Sequence, residues 1–302
     1  MSEVKKIATR MSYGNALVEL GKEHDDLLVF EADLGGATKT TIFRDVFPDR
    51  HIECGIAEAN MVGMAAGIST TGIVPFVSSF AMFTAGRAFD QLRNSVGYPH
   101  LNVKVGATHQ CNEDFALMRT IPGMVVICPS DDVEARAAVK AAYEYKGPVY
   151  MRFGRLAVPV INDNPDYKFE IGKGVTLKDG NDLTIIANGI LVSEALQAAE
   201  MLAKDGINAR VINIHTIKPL DKDLVIKAAK ETGKIVTVEE HSVIGGLGSA
   251  VADVVSEENL APVHKIGVQD VFGESALAEE LLEKHSLDAK GIYNNIKDYL
   301  NK

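Results

Sequence analysis

Short apolar runs alternate along this chain with segments whose apolar residues recur every three or four positions. Residues 11–20 carry the helical spacing, and LLVF (27–30) then reads as a buried strand followed by a Gly/Thr-rich loop, GGATKTT (35–41). The pattern continues with a Gly/Ala/Met-dense helix over 55–68, a strand IVPFVSSF (73–80) and a helix over 87–96. Strands LNVKV (101–105), MVVICPS (124–130) and PVYMRF (148–153) follow, with a helix of AxxAxxA character over 133–145. A polar, proline-bearing stretch (159–178) reads as a linker. A second series begins at DLTIIANG (182–189): helix 192–205, strand 208–214, helix 220–232, strand 234–240, helix 246–256, then a tail read as further helix. Strands alternating with helices at this spacing predict parallel sheets covered on both faces. The expected fold is α/β, with two domains, 1–158 and 179–302, each a mainly parallel sheet flanked by helices.

Length and charge narrow the picture. A chain of 302 residues exceeds what one core usually serves. With 31 basic against 41 acidic side chains the formal charge is −10, which argues against nucleic acid as the main partner but leaves room for a local anion pocket. Three cysteines, Cys54, Cys111 and Cys128, do not make a disulfide framework and suit a reducing, cytoplasmic setting. The opening MSEVKKIATR has no signal-peptide core, and no apolar run reaches the ~18 residues of a membrane span.

In a parallel sheet, ligands collect beyond the carboxyl ends of the strands. That places 33–41, 78–83, 152–155, 188–189 and 239–248 at candidate edges. Glu58 lies near the start of an otherwise apolar helix. It is either a desolvated carboxylate suited to sharing a proton with a ligand nitrogen, or a first-turn glutamate stabilised by the helix dipole. Phe80 and Phe83 concentrate aromatic surface in a chain with 6% aromatics, for stacking on a planar ring or for plain core packing. Arg87, Asp90 and Arg93 share a helical face and could form a surface ladder. His109, in GATHQCNED, can bind a hydroxyl or shuttle a proton. Arg152 and Arg155 end a strand, where an arginine suits a phosphate or an internal ion pair. GGLGS (245–249) resembles a fragment of a phosphate-binding turn, or a glycine run for close packing. No P-loop, HExxH, CxxC or GxSxG pattern is present.

Several long motifs occur in one order: IATRMSYG (7–14), RHIECGIAEANMVGMAAG (50–67), VPFVSSFAMF and RAFDQLR (74–93), GATHQCNEDFALMRTIPGM (106–124), YMRFGR (150–155) and TIKPLD (216–221). Together they resemble the C-terminal half of transketolase over nearly the whole chain. The resemblance implies a pyrimidine-binding domain and a C-terminal domain, with thiamine diphosphate as cofactor. The half that binds the diphosphate and its Mg2+ or Ca2+ would be an N-terminal partner subunit, in a heterotetramer of two of each. Glu58 then matches the glutamate that hydrogen-bonds the aminopyrimidine nitrogen, and Phe80 and Phe83 its aromatic pocket. Asp33, Leu34, Ile56 and Arg87 match cofactor-site positions. Arg10, Thr41 and Arg155 match sugar-phosphate contacts, and His109 a catalytic, substrate-contacting histidine. No metal ligand is implied in this chain. The resemblance also implies a ketose phosphate donor, an aldose phosphate acceptor and a place in the pentose phosphate pathway. The competing expectations are a 2-oxo-acid dehydrogenase β-type subunit, a deoxyxylulose-phosphate synthase-like subunit, or an inactive scaffold subunit. One departure stands out: the family's loop of about a dozen residues is missing after Val105, a length usual for functional loops.

Overall fold

The computed structural model describes residues 5–301; the outermost ends of the two expected domains lie outside the described residues. The elements, in chain order, are β1 (Lys6–Ala8), α1 (Thr9–Glu23), β2 (Leu27–Glu31), α2 (Gly35–Thr38), α3 (Thr41–Val46), β3 (His51–Glu53), α4 (Glu58–Ser69) and β4 (Val74–Phe80). Two π-helical turns, Phe83–Arg87 and Gln91–Gly97, lead to β5 (Lys104–Thr108), α5 (Asp114–Thr120), β6 (Val125–Ile127), α6 (Asp132–Glu144), β7 (Val149–Phe153) and β8 (Ala157–Pro159). Then come β9 (Val175–Lys178), β10 (Leu183–Ala187), α7 (Leu191–Lys204), β11 (Ala209–Asn213), β12 (Thr216–Lys218), α8 (Lys222–Thr232) and β13 (Ile235–Ser242). The chain closes with α9 (Leu247–Glu257), β14 (Val263–Val268), α10 (Ala278–Lys284) and α11 (Ala289–Leu300). No helix among the described residues is long and apolar enough to cross a membrane.

Two compact units result. The first holds the residues up to Gln110 and Leu117–Ile171; the second holds Cys111–Ala116 and the residues from Gly172 on. In the first unit the strands run in the order β6-β7-β5-β4-β2-β3, all parallel. All their carboxyl ends therefore share one edge. The chain steps from β2 to β3 on one side and returns to β4 on the other, so a crevice opens beyond β2 and β4. Leu17, Leu27, Val29, Phe76, Val139 and Met151 centre the core between this sheet and helices α1 and α6.

Gly106 shows how tightly that edge is built. A Cβ there would lie 2.2 Å from the Tyr13 ring, which stacks on Phe153 and bonds the Ser78 hydroxyl at 2.7 Å. Val105 and Gly106 both pair with β4 and β7, so the chain leaves the strand after Thr108, not after Val105. A longer loop can join only beyond that point without breaking the ladder. The short β1–β8 pair, in antiparallel register from Lys6↔Pro159 to Ala8↔Ala157, brings Arg10 beside Gly154.

Three local expectations are corrected. The segment 159–178 is not a free linker: Ile161 and Asn162 donate to the Asp131 carboxylate, Tyr167 donates to Glu134, and Phe169 and Ile171 pack on the core. Its end is a strand, β9, antiparallel to β11. The loop 35–41 contains the helical turn α2 and the start of α3. The expected all-helical tail includes β14, parallel to β13.

The second unit carries the order β14-β13-β10-β11-β9, parallel except for β9. Ile186, Ile212, Val225, Ile235 and Val251 form its core. Asp221, the last residue of TIKPLD, caps α8 through Leu224 N–H and also accepts from Gly174 N–H, which gives that motif a structural role.

Candidate active site

The first unit's carboxyl edge gathers the expected site residues on separate elements. Glu58 is the first residue of α4 and only 3% exposed. Its carboxylate faces the Arg87 guanidinium, with Nη1 at 3.1 Å from Oε1 and 3.4 Å from Oε2. Arg87 lies over the Phe83 ring at 4.3 Å and is about half exposed. Asp90 instead pairs with Arg93 on the surface at 3.0 Å, so the expected ladder forms without Arg87.

Phe80, the last residue of β4, stacks with Phe83 at 5.8 Å and 22°. The His109 ring also approaches Phe80, to 4.0 Å. Phe76, earlier on the same strand, sits in the core. Ile56 stands 73% exposed just before α4. The result is an apolar and aromatic wall open on one side, with a buried carboxylate at its foot.

A positive cluster adjoins that wall. Arg10 donates from Nη1 to Ala37 O at 2.9 Å. Burial, and then the charge of Arg155, lower its pKa. His109 has a left-handed backbone, φ +68°, a conformation costly outside glycine and associated with functional constraint. Its Nδ1 lies 2.9 Å from Thr108 Oγ1. Burial pushes the imidazole down to about 4, with Arg10 and then Arg155 adding to the shift. His109 is therefore neutral at pH 7, next to two cations. Such a cluster suits a phosphate group, which would raise the proton affinity of the histidine on arrival. Arg155 is exposed, free of the packing that immobilises Arg152.

The remaining candidates lie on one loop. Asp33, exposed with φ +59°, donates its N–H to Glu53 at 2.8 Å. Leu34, half-buried, directly precedes α2, and Thr41, also half-buried, starts α3. The side chains that hold this loop, Glu31 and Glu53, were not singled out from the sequence. The available signal was a carboxylate ending a wholly apolar strand, LLVFE.

The second unit's edge differs. The α9 N-terminus, which begins inside GGLGS, is filled from within: Glu239 accepts Leu247 N–H at 2.6 Å and Gly248 N–H at 2.8 Å. A Cβ on Gly246 would lie 2.0 Å from Glu239 Oε2, so the glycine permits this internal carboxylate to cap the helix. The resemblance to a phosphate turn ends there.

These residues fit one end of a thiamine cofactor. A buried carboxylate beside stacked rings and an exposed isoleucine suits an aminopyrimidine. Among the described residues no group of three or more His, Cys, Asp or Glu side chains could hold a metal ion. Fold and site suit the pyrimidine-binding part of a thiamine-diphosphate enzyme. Residues 5–160 match the family model of the transketolase pyrimidine-binding domain, and 172–292 that of the transketolase C-terminal domain. A solved structure of a split gene transketolase, an inactive beta4 tetramer, superposes with a TM-score of 0.92 and 52% identity, covering 98% of this chain and 99% of that one. The 6-deoxy-6-sulfo-D-fructose transketolase subunit SqwH of Clostridium sp. is 43% identical over 94% of this chain and 91% of its own. An apulose-4-phosphate transketolase subunit of Phocaeicola vulgatus is 40% identical over 98% of each chain. The chain belongs to the transketolase family and comprises its pyrimidine-binding and C-terminal domains.

Proposed function

We propose that this chain is the C-terminal subunit of a split transketolase that moves a two-carbon ketol unit from a ketose phosphate to an aldose phosphate. The observation that carries the reading is the buried Glu58 at the foot of the Phe80–Phe83 wall, on the same edge as the Arg10–His109–Arg155 cluster. Thiamine diphosphate, when bound, supplies the electron sink for the two-carbon fragment. Glu58 would hold a proton against the aminopyrimidine nitrogen, and Arg87 would swing off the carboxylate to admit the ring. Phe80 and Phe83 would stack on that ring, with Ile56, Leu34 and Asp33 around it. Arg10, Arg155 and Thr41 would take the sugar phosphate, and neutral His109 would accept a hydrogen bond or proton from a substrate hydroxyl. The diphosphate and its Mg2+ or Ca2+ would be held by an N-terminal partner.

The exposed face of α4, made of Asn60, Gly63, Met64 and Gly67, supports self-association, since a helix apolar on nearly all sides is suited to burial. Two copies of each subunit would complete the assembly. A cytoplasmic place in pentose phosphate metabolism goes with this reading. The test is co-expression with an N-terminal transketolase subunit, followed by a coupled assay on xylulose 5-phosphate and ribose 5-phosphate. Ketol transfer by the complex, and none by this chain alone with thiamine diphosphate, is expected. An inactive complex overturns the proposal in favour of a scaffold subunit.

A further inference from the structure

Glu31 takes no part in the chemistry outlined above, yet it is the most heavily bonded carboxylate near the site. It ends β2 with no exposed surface. Its Oε1 accepts from Ala32 N–H at 3.0 Å and Leu34 N–H at 3.3 Å. Its Oε2 accepts from the hydroxyls of Thr38 and Thr40, each at 2.6 Å. Every partner lies on the single stretch 32–40. That stretch carries Asp33 and Leu34, presents Ala37 O to Arg10, and leads directly into Thr41. Without Glu31, the Ala32 and Leu34 N–H groups would lose their carboxylate acceptor and the Thr38 and Thr40 hydroxyls their 2.6 Å partner, so the loop would lose the contacts that hold this shape. The neighbouring Glu53 acts on the flank only, holding Asp33 N–H and Gly55 N–H.

We propose that Glu31 is a positioning residue: its buried carboxylate sets the 32–41 loop and, through Ala37 O and Arg10, the cationic pocket for the substrate phosphate. The proposal rests on the transketolase reading for the identity of that anion, and on geometry alone for the loop. The chemistry of the site separates a positioning role from mere bulk. Threonine hydroxyls both donate and accept, so a glutamine at position 31 can accept from Ala32 and Leu34 and donate to Thr38 and Thr40. Thr38 can in turn donate to Leu34 O, 3.2 Å away. An alanine can do none of this.

The test compares Glu31→Ala with Glu31→Gln in the full chain and in the complex with its partner subunit. Hydrogen exchange of the full chain should speed up about tenfold in peptides spanning 32–41 of the alanine variant, with peptides of α6 unchanged. Inorganic phosphate, titrated while the His109 ring is followed by NMR, should bind about tenfold more weakly to the alanine variant. In the complex, KM for the sugar phosphate should rise by a similar factor while kcat stays within about threefold. Glutamine should restore exchange, phosphate binding and KM. Wild-type exchange and phosphate affinity in Glu31→Ala, or a loss that glutamine leaves unrepaired, would overturn the proposal. If the alanine variant does not fold, Thr38→Val combined with Thr40→Val removes the two hydroxyl contacts from the loop side and must shift exchange and phosphate binding in the same direction. A complex with no ketol transfer would sink the functional reading, while exchange and phosphate binding would still decide the role of Glu31.

Discussion

The side chains of this edge differ in how strongly their surroundings bias their protons. Glu58 is expected to lose at least ~100-fold in turnover as Glu58→Ala in the reconstituted complex, the low end for removing an acid–base group. Near-normal turnover in the coupled assay would reduce it to a helix-terminal ion pair with Arg87. His109 and Glu31 act on stability with opposite signs. The His109 pKa falls to about 4 on folding from 6.5, so the unfolded chain binds more protons between those values. Its contribution is present above pH 6.5 and is lost as pH falls toward 4; His109→Gln should flatten that arm of the denaturation midpoint against pH. Burial pushes Glu31 up to about 7 from 4.5, against the hydrogen bonds of Thr38, Thr40 and Ala32, with Glu53 adding to the rise. Its contribution is full below pH 4.5 and lost as pH rises through 7. A Glu31→Gln chain should therefore lose less stability than wild type between pH 5 and pH 8, read from the same titration of denaturation midpoints.

Among the elements, β5 packs closely against α1. Gly106→Ala would drive a methyl group into Tyr13, which is pinned by Phe153 and Ser78 and cannot retreat. We expect a loss of about 1–3 kcal/mol in chemical denaturation, the usual cost of overpacking. A wild-type midpoint would mean that Tyr13 moves aside. The strand pattern LNVKV was legible at the level of existence but displaced by three residues, because its apolar start precedes the ladder and its small residues Gly106 and Ala107 look like a turn. Helices 133–145 and 192–205 were readable nearly to their ends from periodicity. The antiparallel pair of β1 and β8, and β9, were not, since their stability comes from partners distant in sequence.

For the molecule as a whole, the decisive property is what it does alone and in company. Purified by itself with thiamine diphosphate, the chain should show no ketol transfer in the coupled assay. It should self-associate at micromolar concentration by light scattering, and Met64→Asp on the outward face of α4 should shift it toward monomer. A wild-type monomer would count against a buried contact there.

Periodicity, turn residues and the order of motifs in the chain by themselves determined the α/β class, the two-series organisation and the family. Those signals are local, and each is written in a few consecutive residues. Only the tertiary structure decided which chemistry-bearing residues meet. Parallel strands put Phe80, His109 and Arg155 on one edge although they come from β4 and from the turns after β5 and β7. The β1–β8 pair delivered Arg10 to the same place. Glu31 acquired its role only when the loop folded back over it, because a buried carboxylate must find its donors wherever the chain can bring them.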